Sequence, residues 1–320
     1  MLQRRKSILH YLVLVAGGLL VAACARPQPI DTSALTTFTH HIGVFSLQVP
    51  QAWKQVQSEA PTEALALFSE PGGQAELSAY VGLLDRRLSE TEGQQIVADL
   101  IKALLKSPSD LRLTDQQRQP DGTYVATLNF TRAGEKRSGT ARFRAEPLAL
   151  SGVILSGPEA SWADFLAAMQ PALDSFKVSL EYVQGTYFTP LNEELYALVI
   201  PVDWESRPGP DLKRVYSRNG QLQIAIAQIA EEKALTTNEL AERGVKLGLR
   251  VLGRGTHTDT EQLPDGRMKV FIERGTDSAI GYIDQKDGFV IGLFFEVATD
   301  RLADYQPIID FIYSTYITGR

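Results

Sequence analysis

Cysteine and histidine are scarce in this sequence. Among 320 residues there is one cysteine, Cys24, and there are four histidines. A single thiol cannot close a disulfide within the chain. Beyond residue 23 the histidines are His40, His41 and His257, and no His-x-x-x-His or paired-cysteine spacing occurs. We therefore expect no metal site and no cofactor.

The serine-hydrolase pattern Gly-x-Ser-x-Gly is also missing. Ser151-Gly152 and Ser156-Gly157 do not complete it, and the next histidine after them is His257. The nucleophile elbow needs both glycines because its serine sits on a sharp, strained turn. Together with the lack of metal ligands, this predicts that the protein is not an enzyme.

Positive charge is in deficit, since the formal net charge is -6. The net charge becomes about -9 without residues 1–23, which carry three positive residues and no negative ones. Residues 42–180 and 186–320 contribute about -3 and about -5, so both halves are mildly acidic. This balance argues against nucleic acid as a partner.

The N-terminus has the pattern of a bacterial lipoprotein signal peptide. Arg4, Arg5 and Lys6 precede an uncharged, mostly apolar run over residues 7–23, which is shorter than the about 20 apolar residues of a comfortable transmembrane helix. The run ends in Val-Ala-Ala followed by Cys24, which matches a lipobox: small side chains admit the peptidase, and the thiol accepts the lipid. The alternative is an ordinary cysteine in an uncleaved anchor helix.

Residues 1–23 are thus predicted to be a signal peptide, and Cys24 to carry acyl chains such as palmitate that hold the protein to a membrane. We expect an extracytoplasmic protein of the cell envelope, on the outer face of the cytoplasmic membrane or on an outer membrane if the cell has one. Residues 24–41, rich in Thr and Pro, are predicted to be a flexible tether reaching up to roughly 50 Å. General secretion and twin-arginine export both remain open.

An internal duplication organises the remaining chain. The strand pattern Phe45–Trp53 aligns without a gap on Tyr196–Trp204, and in both the strand ends at Pro and a Trp follows three positions later. Hairpins and helices with capping boxes follow in each half, and Ser89 with Glu92 corresponds to Thr236 with Glu239. The sequence therefore predicts two α+β lobes, over residues 42–180 and 186–320, each with a twisted antiparallel sheet flanked by helices.

This succession of elements resembles the PsbP-like superfamily. That group includes the extrinsic PsbP subunit of photosystem II, a Ran-binding nuclear import factor and many bacterial lipoproteins. The resemblance covers nearly all of the chain after the tether and rests on two Pro-x-x-Trp motifs in register. It implies lobes built as αβα sandwiches and a non-enzymatic binding or assembly role. It transfers no partner-binding residue, since only structural motif positions match.

Four residues are candidates for contact with a partner or ligand. Trp53 and Trp204 either line a ligand cleft or pack at equivalent strand corners, and the equivalence favours packing. Arg142 and Arg144 share one strand face within a basic cluster that also contains Arg132, Lys136 and Arg137. Such a face suits anionic lipid or an acidic partner. The other interpretation is a solvated strand face balanced by Glu135 and Glu146.

Two functions are therefore considered. The first is a non-catalytic lipoprotein that binds or scaffolds another envelope component. The second is a small-molecule-binding lipoprotein with its site between the lobes. A concave apolar pocket there favours the second function, whereas a broad exposed patch favours a protein partner.

Overall fold

The computed structural model describes residues 30–209, 212–253 and 255–319. The predicted signal peptide, Cys24 and the first part of the tether lie outside these ranges. Residues 31–320 pack as one compact unit. No helix in the described ranges is both long enough and apolar enough to cross a membrane.

Two lobes with the same order of elements make up this unit. The first comprises β1 (Leu35–Thr39), β2 (Phe45–Pro50), β3 (Lys54–Ala60), β4 (Glu63–Ser69), β5 (Glu76–Leu83), α1 (Glu90–Leu104), β6 (Arg112–Arg118), β7 (Thr123–Arg132), β8 (Glu135–Glu146), β9 (Ala149–Pro158), α2 (Trp162–Asp174) and β10 (Lys177–Val178). A connecting helix, α3 (Leu180–Tyr187), follows.

The second lobe repeats the series. It comprises β11 (Phe188–Asn192), β12 (Tyr196–Pro201), β13 (Glu205–Arg207), β14 (Leu212–Tyr216), β15 (Leu222–Ala230), α4 (Thr237–Leu252), β16 (Thr256–Gln262), β17 (Met268–Arg274), β18 (Asp277–Lys286), β19 (Phe289–Ala298), α5 (Leu302–Ser314) and β20 (Ile317–Thr318). The predicted start of lobe 2 at residue 186 falls inside α3, and the repeat proper begins at Phe188.

Each lobe contains a small and a large antiparallel sheet. In lobe 1 their strand orders are β1-β2-β10 and β3-β4-β5-β9-β8-β7-β6. Lobe 2 has the same two orders with ten added to every strand number. The duplication read from the sequence is therefore present in the topology, and the prediction of two tandem α+β lobes is confirmed.

Helices cover both faces of the large sheets. Phe143 belongs to the core cluster with Val97 and Ile101 of α1, while the neighbouring Arg142 bonds Asp174 of α2. Because successive strand residues point to opposite faces, α1 and α2 lie on opposite sides of the sheet. Lobe 2 has its own core, in which Leu247 of α4 packs with a separate set of strand residues.

The predicted capping boxes are present on α1 and α4. Ser89 Oγ accepts from the Glu92 backbone N–H at 3.3 Å, and the Glu92 carboxylate accepts from the Ser89 N–H at 3.1 Å. Thr236 and Glu239 repeat this exchange at 3.3 and 2.8 Å. These bonds satisfy backbone donors that a helix start leaves free.

The predicted tether over residues 24–41 is wrong at its C-terminal end. Residues 35–39 form β1, which pairs with β2 from Leu35↔Pro50 to Thr39↔Ser46. Phe38 is buried against Phe68, with ring centroids 4.8 Å apart, and His40 is only 1% exposed. Threonine favours strands, and burial of one aromatic ring is enough to hold this polar strand on the lobe. Lobe 1 therefore begins by Leu35 rather than at residue 42.

A Gln-Pro-x-x-Asp sequence occurs in both α2 (residues 170–174) and α5 (residues 306–310), but the two copies are not structurally equivalent. Gln170 lies near the end of α2, whereas Gln306 lies in the second turn of α5. Both helices have 13 residues and follow a 3-10 turn. The hydroxyls of Ser175 and Thr315, which follow the two helices, accept from the β2 and β12 backbones. When α2 and α5 are aligned at these ends, Phe165 of lobe 1 is equivalent to Tyr305 of lobe 2.

Candidate functional site

Trp53 and Trp204 occupy equivalent, buried positions. Each side chain is 6% exposed, and each backbone N–H donates to the carbonyl of the preceding proline, at 3.0 and 3.1 Å. Trp53 also stacks on Phe165 at 6.3 Å between centroids. So little exposed surface favours packing at the strand corner over the lining of a cleft, and ligand contact by either indole stays a prediction.

The basic cluster on β8 is engaged within its own lobe. Arg142 donates to Asp174 at 3.0 Å and to Gln170 at 3.1 Å, and Arg144 lies 3.5 Å from Glu146. Arg137 is buried and donates to the backbone carbonyls of residues 73 and 74. Asp174 and Glu146 offset the charges of Arg142 and Arg144, and a contact of either arginine with a partner stays a prediction.

The structure brings together a charged site that the sequence interpretation missed, at the contact between the lobes. We call it the junction. Lobe 1 contributes one end of its sheet, and lobe 2 contributes the opposite end of its own. Its members are Glu63, Asp85, Arg86, Arg87 and Glu92 from lobe 1, and Asp203, Arg218, Asn219, Gln221, Arg301, Asp304 and Tyr305 from lobe 2.

Glu92 is the best-connected carboxylate of the junction. The Arg86 guanidinium donates to both of its oxygens, at 2.9 and 3.1 Å, and Arg301 of lobe 2 reaches it at 3.4 Å. Partial burial acts to raise the pKa of Glu92, but hydrogen bonds from Arg86 and Ser89 outweigh it and lower that pKa to about 2. The carboxylate is therefore ionised at neutral pH and links α1 to the start of α5.

Three further carboxyls of the junction are in the opposite situation. Burial raises the pKa of Glu63, Asp85 and Asp203. The Arg218 guanidinium, 3.7 Å from Asp203, partly opposes this rise in all three. Arg86 also opposes the rise at Asp85, and a hydrogen bond with Tyr80 opposes it at Glu63, yet burial outweighs these effects and makes the ionised state of the three carboxyls costly.

Neutral hydrogen bonds complete the junction. The Arg87 backbone N–H donates to the Asp304 carbonyl at 2.7 Å, and the Val202 N–H donates to the Tyr187 carbonyl at 3.1 Å. The buried Tyr305 hydroxyl donates to Gln221 at 2.9 Å and accepts from Asn219 at 3.1 Å. Only the bond from Arg87 to Asp304 joins the two lobes. The bond from Val202 extends the pairing of β12 with β11, and the Tyr305 bonds hold the surface that lobe 2 presents to lobe 1.

Lobe 1 carries different residues where lobe 2 forms the junction. Positions of the two lobes are matched at three kinds of landmark. These are the tryptophans, the hairpin pairs Ser69↔Glu76 and Tyr216↔Gln223, and the starts of α2 and α5. Ala52, Pro71, Ser161 and Phe165 stand in place of Asp203, Arg218, Arg301 and Tyr305. The lobes therefore meet head to tail, through two unlike surfaces. A position-by-position comparison of the two repeats shows this difference, but the strand pairs and helix starts that align them come from the structure.

Two surface pockets lie elsewhere on the molecule. One, of about 280 Å³, is lined by Asp31, Ala34, Pro50, Gln51 and Ala52. The other, of about 480 Å³, is lined by Glu90, Arg118, Gln119, Pro120, Asp121 and Gly122. Neither is lined by junction residues. Within the part of the chain that the structure describes, no three His, Cys, Asp or Glu side chains are grouped to hold a metal ion.

The arrangement defines a class of protein, with two α+β lobes in tandem joined by a polar junction. No protein-family model matches the chain, and no curated protein matches it. Among solved structures, cyanobacterial PsbP from Synechocystis sp. PCC 6803 matches 49% of this chain over 99% of its own length, with 15% identity and a TM-score of 0.37.

Two other structures show the same likeness over one half of the chain. The Ran-binding protein Mog1p of Saccharomyces cerevisiae matches 47% of it over 98% of its own length, with 11% identity and a TM-score of 0.34. LpqN of Mycobacterium tuberculosis, described as involved in cell envelope biogenesis, matches 46% over 91%, with 10% identity and a TM-score of 0.27. These likenesses, with TM-scores below 0.5, are similarities only, and the tandem of two α+β lobes rests on the repeated strand order.

Proposed function

We propose that this protein is a lipid-anchored, extracytoplasmic protein of the bacterial cell envelope that binds or scaffolds another envelope component without catalysing a reaction. The anchor part of the proposal rests on the basic start, the apolar run and the lipobox that ends at Cys24. It places the body on the outer face of the cytoplasmic membrane or on an outer membrane.

The junction is the observation that supports a scaffold over a small-molecule binder. The surfaces between the lobes are joined by ion pairs and backbone hydrogen bonds, such as those of Glu92 with Arg301 and of Arg87 with Asp304. A ligand site needs a concave, mostly apolar cavity with a few convergent polar groups. A polar contact of this kind instead holds two lobes at a fixed relation, which suits the presentation of a composite surface to a partner.

The anchor is tested by Cys24→Ala in a bacterial host. We expect the unchanged protein to fractionate with membranes and to show, by mass spectrometry, an N-terminal Cys24 carrying acyl chains. The Cys24→Ala variant should keep the unprocessed mass and carry no lipid. An unmodified Cys24 in a membrane-bound protein contradicts the anchor and favours an uncleaved helix.

The partner is tested by affinity capture from detergent-solubilised membranes of the native host, with the lipidated full chain as bait. We expect one envelope protein to copurify in near-stoichiometric amount and to be recovered also with the Cys24→Ala bait after solubilisation. If nothing copurifies while small metabolites raise the melting temperature, the scaffold proposal is wrong and the small-molecule function replaces it.

A further inference from the structure

The chain joins the body at one defined end of lobe 1. The Trp53 indole Nε1–H donates to the Asp31 carbonyl at 3.3 Å, and the Gln51 N–H donates to the Ala34 carbonyl at 2.8 Å. Asp31 lies only seven positions after Cys24, a reach of at most about 25 Å. A lipid on Cys24 therefore keeps this end of lobe 1 close to the membrane surface.

This end of lobe 1 is equivalent to the surface through which lobe 2 forms the junction, but its side chains are different. At the equivalent positions, charged side chains of lobe 2 are replaced in lobe 1 by small or apolar ones, with Ala52 for Asp203 and Pro71 for Arg218. Ala52, Pro71, Ala160 and Ala163 are exposed, and Trp162 is half-buried. In lobe 2 the same end contacts lobe 1, whereas in lobe 1 no described residue of lobe 2 contacts it.

Trp162 is the largest partly exposed side chain at this end. Its ring lies 5.9 Å from Phe165, which in turn stacks on Trp53. Tryptophan, with an apolar ring and a polar N–H, is a side chain that membrane proteins place at the headgroup level. Its position beside the point where the tether leaves makes lipid the occupant that this end fits.

We propose that the tether end of lobe 1, formed by Ala52, Pro71, Ala160, Trp162 and Ala163, rests on the bilayer surface with Trp162 among the headgroups. This inference rests on the proposed anchor at Cys24 and adds an orientation to it. This end carries charge of both signs, with carboxylates at Asp31, Glu70, Glu159 and Asp164 and basic side chains at Arg132 and Lys136. We therefore assign the contact to Trp162 and its small neighbours rather than to attraction of anionic lipid.

The orientation is tested with spin labels at two equivalent exposed positions, Ala163→Cys in lobe 1 and Ala303→Cys in lobe 2. The lipidated full chain is bound to phosphatidylcholine vesicles, and Cys24 is blocked by its thioether. We expect the label at 163 to be about threefold less accessible to a water-soluble relaxant on vesicles than in a solution of the chain that starts at residue 25, which has neither the signal peptide nor Cys24, with no change at 303. Equal accessibility at both positions overturns the inference.

A second measurement uses the intrinsic fluorescence of the three tryptophans. Lipids with brominated acyl chains should quench the unchanged protein, Trp162→Phe should lose most of that quenching, and Trp204→Phe should keep it. If the acylated protein binds vesicles without quenching that depends on Trp162, the anchor stands and the orientation is wrong. If mass spectrometry finds no lipid and no vesicle binding occurs, both proposals fall.

Vesicles containing one part in three phosphatidylglycerol test whether the membrane contact is made by the tether end of lobe 1 or by the basic face of β8. We expect the same protection at position 163 as on phosphatidylcholine. Protection that requires phosphatidylglycerol and is lost in Arg142→Ala/Arg144→Ala assigns the membrane contact to β8 and overturns the proposal.

Discussion

Glu92 and Glu239 occupy the same N3 position of α1 and α4. Both close a capping box, and both accept from a basic residue six positions upstream, Arg86 and Lys233 respectively. Only Glu92 is also reached by a guanidinium of the other lobe, that of Arg301. At this position a local helix-capping group has thus gained a second role, and its low pKa means that this role persists down to about pH 2.

The two tryptophans allow a direct test of packing against ligand contact. We expect Trp53→Ala and Trp204→Ala each to lower the free energy of unfolding by about 3–5 kcal/mol, because each removes a buried ring and leaves a cavity. Urea denaturation followed by circular dichroism measures this loss, with the half-buried Trp162→Ala as the milder control. A variant of full stability at either position shows that the indole is free to serve a ligand.

At the scale of elements, the structure adds strands that have no apolar alternation. β3, β6 and β16 are the polar, mostly exposed outer strands of the large sheets. Each pairs on one side only, so neither face has to be apolar for the strand to form. β6 and β16 also carry register shifts against their neighbours, between Thr114 and Gln117 and between His257 and Asp259. Such irregularities discourage the pairing of an edge with another chain.

The corrected start of lobe 1 predicts how truncations behave. A chain that starts at residue 31 should melt at the same temperature as the mature protein, because β1 and the Asp31 contact with Trp53 are kept. A chain that starts at residue 42 loses β1 and the buried Phe38 ring, which alone is worth about 3–5 kcal/mol.

Differential scanning calorimetry of the two truncations makes the comparison. We expect the shorter one to melt lower or to be recovered as aggregate. Equal melting temperatures contradict the assignment of β1 to the folded lobe and restore the predicted tether over residues 24–41.

At the scale of the whole molecule, the junction makes stability depend on pH in two opposite ways. Glu92 stabilises the folded state above its ordinary pKa of 4.5, and that contribution disappears as the pH falls toward about 2. Glu63, Asp85 and Asp203 have raised pKa values in the folded state. Their contribution is complete below their ordinary pKa values of about 4 and is lost as the pH rises through the folded-state values.

Asp85→Asn isolates the second effect, since the amide keeps the shape of the carboxyl without its ionisation. We expect the variant to match the unchanged protein at pH 3.5 and to become more stable than it as the pH rises toward 8. Each kcal/mol corresponds to about 2–4 °C in Tm for a domain of 150–250 residues. Thermal melts at several pH values, with the exposed Glu135→Gln as control, measure the difference. A constant difference across this range contradicts the burial of Asp85 as a charged group.

Several features of this fold follow from sequence alone because they depend on residues a few positions apart. The capping boxes at Ser89 and Thr236, the alternation in β7 and β19, and the repetition of Pro-x-x-Trp are of this kind. Each of these short patterns indicates which backbone groups are hydrogen-bonded or which face of an element is buried. The duplication followed from them, since two copies of one buried pattern require two cores.

The junction followed only from the tertiary structure. Glu92, Asp203, Arg218 and Arg301 are far apart in the chain, and nothing local distinguishes them from solvated surface charges. Whether these side chains are solvated or paired across the junction depends on which end of lobe 2 contacts which end of lobe 1. The same holds for β1, whose polar strand becomes part of lobe 1 only because β2 offers it a free edge and Phe68 covers Phe38. Local patterns determine which faces are buried within a lobe. Several polar surfaces of a lobe are stable in water, so local patterns do not determine which of them contacts the other lobe.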